Sequence, residues 1–184
     1  MKVPAPRDRR VERTHRLLRD ALVALVIEKG WDEITIQDVC DRADVGRSTF
    51  YTHFADREDL LLSGFDDLKK ALRAAARLGD ARRELRFTRG LLLHADENRK
   101  LFRALGGKKT ALAVQARFRQ LVHELTTEEL SSRLSGAALS TTAAWVTGGC
   151  LELFARWIDA RSVGEVEEVD DAIEGFVRKA LRPG

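Results

Sequence analysis

The groups in this chain best suited to chemistry crowd into one short run. Arg47, Ser48, Thr49, Tyr51, Thr52 and His53 bring a guanidinium, hydroxyls, a phenol and an imidazole together within a few positions. Such donors bind phosphate oxygens and the edges of bases in a groove of a nucleic acid. Arg47, Ser48 and Thr52 suit base edges. An Arg at such a position can hold a guanine through two parallel hydrogen bonds, worth about 1–3 kcal/mol of discrimination. Thr49, Tyr51 and His53 suit phosphates. Thr35 offers a hydroxyl and a helix N-terminus to a phosphate, and Arg57 does the same one element later. Taken singly, each of these residues is more often solvated surface. Their collection on one element makes nucleic-acid contact the expectation.

These side chains need a scaffold, and the local pattern supplies one. Thr35-x-x-Asp38 is an N-cap with a carboxylate three residues on, a capping-box-like helix start. Val39 and Ala43 share one face of the helix that follows. Asp44, Val45 and Gly46 break it. A second short helix from about Arg47 turns Phe50 and Phe54 inward and leaves its polar side chains outward. Two short helices joined by such a turn form a helix-turn-helix, whose second helix enters the major groove.

Other chemistries find less support. Ser131, Ser132 and Ser135 lie near His123 and Glu124 in sequence, yet no nucleophile elbow or glycine-rich phosphate loop accompanies them. The reading is therefore of a protein that is not an enzyme and uses no cofactor. His94 and His123 have no carboxylate or cysteine at ligand spacing on the same turn, so they read as structural or solvated and no metal site is expected. Cys40 and Cys150 stand far apart in apolar helical settings and read as reduced buried thiols, in keeping with a cytoplasmic protein.

The whole chain has 184 residues, 44% hydrophobic and 33% charged, with a formal net charge of +3. Those values describe an ordered globular protein of one domain or two small ones. Positive charge gathers at the front, where Lys2, Arg7, Arg9, Arg10, Arg13, Arg16 and Arg19 face Asp8, Glu12 and Asp20. This basic arm reads either as a solubilising tail or as a phosphate contact. Prolines stand only at Pro4, Pro6 and Pro183, and no period-two run of β-branched residues occurs, so an all-α fold follows. The uncharged stretch up to Leu151 is too short and too rich in Ser, Thr and Gly for a membrane span and reads as a buried helix.

Helices are expected over 9–29, with Gly30 as the stop, then across the helix-turn-helix. A fourth, capped by Asp56, should run to about Leu78. Gly79-Asp80 breaks the chain, and further helices are expected near 81–95, 97–105, 109–125, 127–133, 136–160 and 165–181. The division this implies is a helix-turn-helix domain with a basic arm over 1–60 and a helical domain over 61–184. In the last helix, acidic residues in the first turn and Arg178, Lys179 and Arg182 at the end suit the helix dipole.

The run T35-I36-x-D38-V39, A43-D44-V45-G46-R47-S48-T49-F50-Y51-x-H53-F54 and D56-R57-E58-x-L60 resembles the DNA-binding domain of the TetR family of bacterial transcriptional regulators. The resemblance covers roughly residues 12–60. Many members have Gly at the position of Asp44 and Ser at that of Gly46. Asp tolerates a left-handed turn and Gly is acceptable at an N-cap, so both substitutions fit. Farther on, A144-W145-V146-x-G148-G149 and F154-A155-x-W157-I158 resemble the penultimate helix of one subgroup. The resemblance implies a homodimer through the last two long helices, double-stranded DNA with a near-palindromic operator as partner, and a small-molecule effector that releases it. An effector pocket lined by Leu92, Phe102, Leu105, Phe118, Trp145 and Phe154 is expected among helices 81–160, although an aromatic set at helical spacing is more often plain core. The Arg-rich stretch from Arg73 to Arg119 suits an anionic effector or a solvated face. A DNA-binding protein that senses nothing, and a helical interaction module that binds no DNA, remain the alternatives.

Overall fold

A computed structural model describes residues 6–105, 112–159 and 164–182. Among them every regular element is helical, in agreement with the all-α reading. Helix α1 spans Pro6–Lys29, α2 Ile36–Ala43, α3 Arg47–His53, α4 Arg57–Leu78 and α5 Phe87–Glu97. Helix α6 spans Arg99–Leu105, α7 Leu112–Leu130, α8 Gly136–Ile158 and α9 Val166–Ala180. Among the described residues, no helix is long and apolar enough to cross a membrane. Lys2, Pro4 and Pro183 fall outside the described residues.

Helix α1 ends where Gly30 takes φ 81°, a left-handed conformation that disfavours any Cβ. A 3-10 turn at Trp31–Glu33 then drops the Trp31 ring into the core. The start of α2 is a capping box. Thr35 Oγ1 accepts from the Asp38 amide at 3.1 Å, and the Asp38 carboxylate accepts from the Thr35 amide at 2.7 Å. Asp44 closes α2 at φ 52°, the left-handed turn that its type tolerates. Gly46 is the N-cap of α3. At α4 the Asp56 side chain accepts from the Asp59 amide at 2.8 Å, as the sequence predicts.

Packing gathers the apolar side chains into two clusters. The first joins Leu18, Leu22 and Val26 of α1 to Trp31, Val39, Phe50, Phe54 and Leu60, all buried. The second joins Leu72 to Phe87, Leu92, Leu121, Leu125, Trp157 and Ile173. Helix α4 contributes to both. So, more weakly, does α6, whose Leu101, Ala104 and Leu105 pack against the first cluster while Phe102 packs against the second. At the α4–α5 crossing, a Cβ on Gly90 would stand 3.3 Å from Leu72 Cδ2, so the absence of a side chain sets this approach.

Two helix boundaries differ from the sequence reading, and both have a tertiary cause. The helix expected over 81–95 begins only at Phe87. Residues 79–86 are tied to α9 and α7 instead: Arg83 pairs with Asp170 and Asp171 at 2.8 and 2.9 Å, the Glu84 amide donates to Glu174, and the Arg86 amide donates to Glu129. The separate helices expected at 109–125 and 127–133 are a single α7 that continues to Leu130. Thr127 fits within it because its hydroxyl donates to the His123 carbonyl at 2.8 Å.

Candidate nucleic-acid interface and ligand cleft

Helix α3 is held by its apolar side. Phe50 is fully buried and Phe54, its C-cap, nearly so, their rings 5.9 Å apart. Truncating such a side chain costs about 3–5 kcal/mol, so the orientation of α3 is fixed by its core face. On the other side Arg47, Ser48, Thr49, Tyr51 and Thr52 are all exposed. The fold thus brings five of the expected contacts together on one outward flank.

Within that flank the polar groups are partly pre-organised. Arg47 Nη2 donates to the Tyr51 hydroxyl at 3.3 Å, and its guanidinium lies 5.8 Å from the Tyr51 ring centroid. This bond raises the Arg47 pKa further. The Tyr51 ring packs edge-on against Phe50 while half of the residue stays exposed, which leaves its hydroxyl at the surface. Thr52 donates to the Ser48 carbonyl at 2.8 Å and keeps its oxygen's acceptor capacity.

Three expected contacts are placed otherwise. His53 is half-buried, its ring 4.8 Å from that of His15 on α1. Thr35 is exposed, but its hydroxyl donates to Asp38 at 2.7 Å and accepts from the Asp38 amide. Asp38 therefore already supplies negative charge at the N-terminus of α2, with its pKa held down at about 2 by the Thr35 hydroxyl and amide and by Lys29. Arg57 departs most. Its guanidinium donates to the Trp31 carbonyl at 2.8 Å and to the Ile34 carbonyl, and lies 4.8 Å from the Trp31 ring centroid. It fastens α4 to the corner before α2 rather than reaching outward. The neighbouring Trp31, buried just after α1, is the sequence signal for this role.

His15 belongs to the same junction. Its ring sits 4.7 Å from Phe54, and its pKa is lowered by burial, then by His53 and by Arg19. Arg19 in turn pairs with Asp67 at 2.7 Å, so that α1 is bound to α4 as well as to α3.

A cleft of about 1140 Å³ opens between α1, α4, α6, α7 and α8. Phe102, Leu105, Phe118 and Phe154 line it, as the sequence reading expects of an effector pocket. Leu92 does not. It is buried beside a separate apolar void of about 10 Å³, also bordered by Phe87 and Leu91. Trp145 is also elsewhere, 63% exposed on the outer side of α8, because α8 turns Val146 and Cys150 inward. Much of the basic stretch from Arg73 to Arg119 is spent on ion pairs: Arg73 with Glu128, Arg89 with Glu167 at 2.6 Å, and Arg117 with Asp66 at 2.8 Å. His94 faces the cleft, its pKa lowered by burial, and His123 stands 3.3 Å from Thr147 Oγ1.

Comparison with known proteins agrees with this geometry. Residues 18–63 match the family model for bacterial regulatory proteins of the tetR family. The chain is 42% identical over 55 residues to the uncharacterized HTH-type transcriptional regulator YxbF of Bacillus subtilis (strain 168), covering 29% of this chain and 14% of that protein. It is 32% identical over 73 residues to the HTH-type transcriptional regulator TcmR of Streptomyces glaucescens, covering 39% and 32%. The fold resembles that of a protein described as a TetR-family transcriptional regulator from Syntrophomonas wolfei str. Goettingen, with a TM-score of 0.75, 18% identity and coverage of 92% and 95%. Residues 18–63 thus match the helix-turn-helix of the tetR family of bacterial regulatory proteins, the all-α fold around them is shared over nearly the whole length with a solved structure, and the chain spans about a third or less of the curated relatives it matches.

Proposed function

We propose that the chain binds a near-palindromic DNA operator as a homodimer and represses transcription until a small-molecule effector releases it. The observation that carries DNA binding is the α3 flank: five polar side chains outward, with Phe50 and Phe54 locking their direction. Arg47 and Ser48 read base edges, and Thr49, Tyr51 and Thr52 reach phosphate or base edges beside them. The division at residue 60 gives a reading domain below it and an effector and dimer domain above, with α4 crossing between them.

The outer faces of α8 and α9 support the dimer. Trp145 and Phe176 are 63% and 54% exposed, and a methyl added at Gly148, Gly149 or Gly175 would meet no atom within 4 Å. Large apolar side chains beside bare backbone are what a second helix pair can cover. A dimer presents two α3 helices to half-sites about 34–36 Å apart, or a multiple of that. An effector acts by favouring a conformer whose spacing no longer fits. The cleft, walled by α1 and α4 on one side and α6 to α8 on the other, is placed to bias that spacing.

A gel shift on duplexes selected from a random pool tests the reading. Arg47→Ala should weaken binding about tenfold or more and relax preference at one base pair of each half-site. Equal shifts by wild type and variant would remove Arg47 from the interface.

A further inference from the structure

The cleft has a chemical character of its own. Its floor is an aromatic cluster in which Phe118 stands 6.4 Å from Phe65, 5.7 Å from Phe102 and 5.2 Å from Phe154, centroid to centroid. Its volume, about 1140 Å³, lies just above the roughly 1,000 Å³ to which ligand pockets commonly run. A polyhydroxylated ligand would leave hydroxyls unpaired on such a floor, so the body that fits is large and apolar.

The rim decides the charge. The charged residues that line the cleft are Arg16, Arg19 and Arg119 and, against them in sign, Asp20, Asp67 and Asp159, all but Arg19 exposed. Arg19 is neutralised by Asp67, and Asp159 has a partner of its own. Arg16 and Arg119 make no ion pair or side-chain hydrogen bond among the described residues, and only Asp20 is left to oppose them. His94, held neutral by burial, adds no charge at neutral pH. The uncommitted balance is positive, and it is guanidinium, which grips carboxylates and phosphates through paired donors.

We propose that this cleft takes a large, mainly apolar anion, a carboxylate or a phosphate monoester, with its head at Arg16 and Arg119 and its body on the phenylalanine cluster. The proposal rests on the effector-responsive reading above and adds the class of the effector. It also adds a direct touch on the helix-turn-helix unit. Arg16 and Val23 line the cleft from α1, the helix whose Leu18, Leu22 and Val26 support α2 and α3. An occupant therefore presses on the reading head itself as well as on α4.

Isothermal titration of the full chain without DNA tests this, using dodecanoate, dodecyl phosphate, dodecanol and dodecyltrimethylammonium below their micelle concentrations. One anion should bind per chain, the tighter of the two naming the head group. Decanoate should bind more than tenfold more weakly than dodecanoate, since each buried methylene is worth about fourfold. The alcohol and the ammonium should bind at least tenfold more weakly than the anions. Arg16→Ala with Arg119→Glu should lower anion affinity about tenfold or more and leave dodecanol unchanged, with an unchanged melting curve as the folding control. Ala116→Trp, which fills the cleft from its exposed edge, should block all the ligands. Equal or tighter binding of the ammonium or the alcohol, no binding at all, or indifference to the double variant would each overturn the proposal. Operator release, read in parallel, separates the two levels. Release by a non-anionic compound would refute the anion class and keep the effector reading. Anion binding with no effect on DNA would keep the class and refute the effector reading.

Discussion

Replacing Arg57 by Ala separates two physical roles that leave different signatures. In the structure its guanidinium donates to the Trp31 and Ile34 carbonyls and stacks against the Trp31 ring. A hydrogen bond to a charged group contributes about 1.5–3 kcal/mol, and a partly exposed cation–π contact about 0.5–1 kcal/mol. Arg57 is only half-buried, and water can replace part of what is lost, so the expected loss is about 2–4 kcal/mol. Against a total stability of about 5–15 kcal/mol this is large. The assay is urea unfolding at one fixed protein concentration, which keeps dissociation of the proposed dimer from confounding the comparison. The second readout is the slope of log K for operator binding against log salt. A lost phosphate contact lowers that slope by about 0.9 per contact. The clamp predicts a lower urea midpoint with the slope kept, and Arg57→Lys should fall between, since one ammonium cannot span both carbonyls and the ring. A variant as stable as wild type with a shallower slope would refute the clamp and return Arg57 to the phosphate backbone.

Other expectations follow from the same geometry. If the proposed dimer forms through α8 and α9, Trp145→Glu with Phe176→Asp should give monomers in light scattering and abolish operator binding, while far-ultraviolet circular dichroism stays helical; a dimeric double variant would move the interface elsewhere. Arg47→Ala should leave the unfolding free energy from urea titration within about 0.5 kcal/mol of wild type, because the side chain is exposed. Asp38 titrates at about 2, below its ordinary value. A depressed carboxylate pKa adds stability that is present above the unfolded value near 3.9 and is lost as pH falls toward 2. Asp38→Asn should therefore flatten the fall in urea midpoint between about pH 4 and pH 2, and an identical pH profile would contradict the capping-box role.

How much of this was legible in the sequence depends on the range of the interactions. Thr35 with Asp38, Asp56 with Asp59, and the spacing of Phe50 and Phe54 are local signals, and each sits where its spacing puts it. The turn at 79–86 was not legible. Its partners Asp170, Asp171 and Glu174 lie about ninety residues away, and only the folded chain brings them to Arg83 and Glu84. Arg57 sits elsewhere than its position suggests for a related reason. Position and charge suited a phosphate, and Trp31 was the one sequence hint of the clamp, because the acceptors that take the guanidinium, Trp31 O and Ile34 O, are backbone atoms. Trp145 and Leu92 show the limit of helical periodicity on α8 and α5. A helix that packs on one side and faces outward on the other carries apolar residues on both, so composition does not say which side holds a cleft. Phe102, Leu105, Phe118 and Phe154 line the cleft because each lies where its helix borders the gap between the two cores.

Hydroxyl-radical footprinting on a duplex selected by the protein tests the central claim most directly. Two protected patches on one face of the DNA, with centres about 34–36 Å apart or a multiple of that, are the predicted result, and both should vanish with Arg47→Ala. A single patch, or a pattern indifferent to that substitution, would contradict the account.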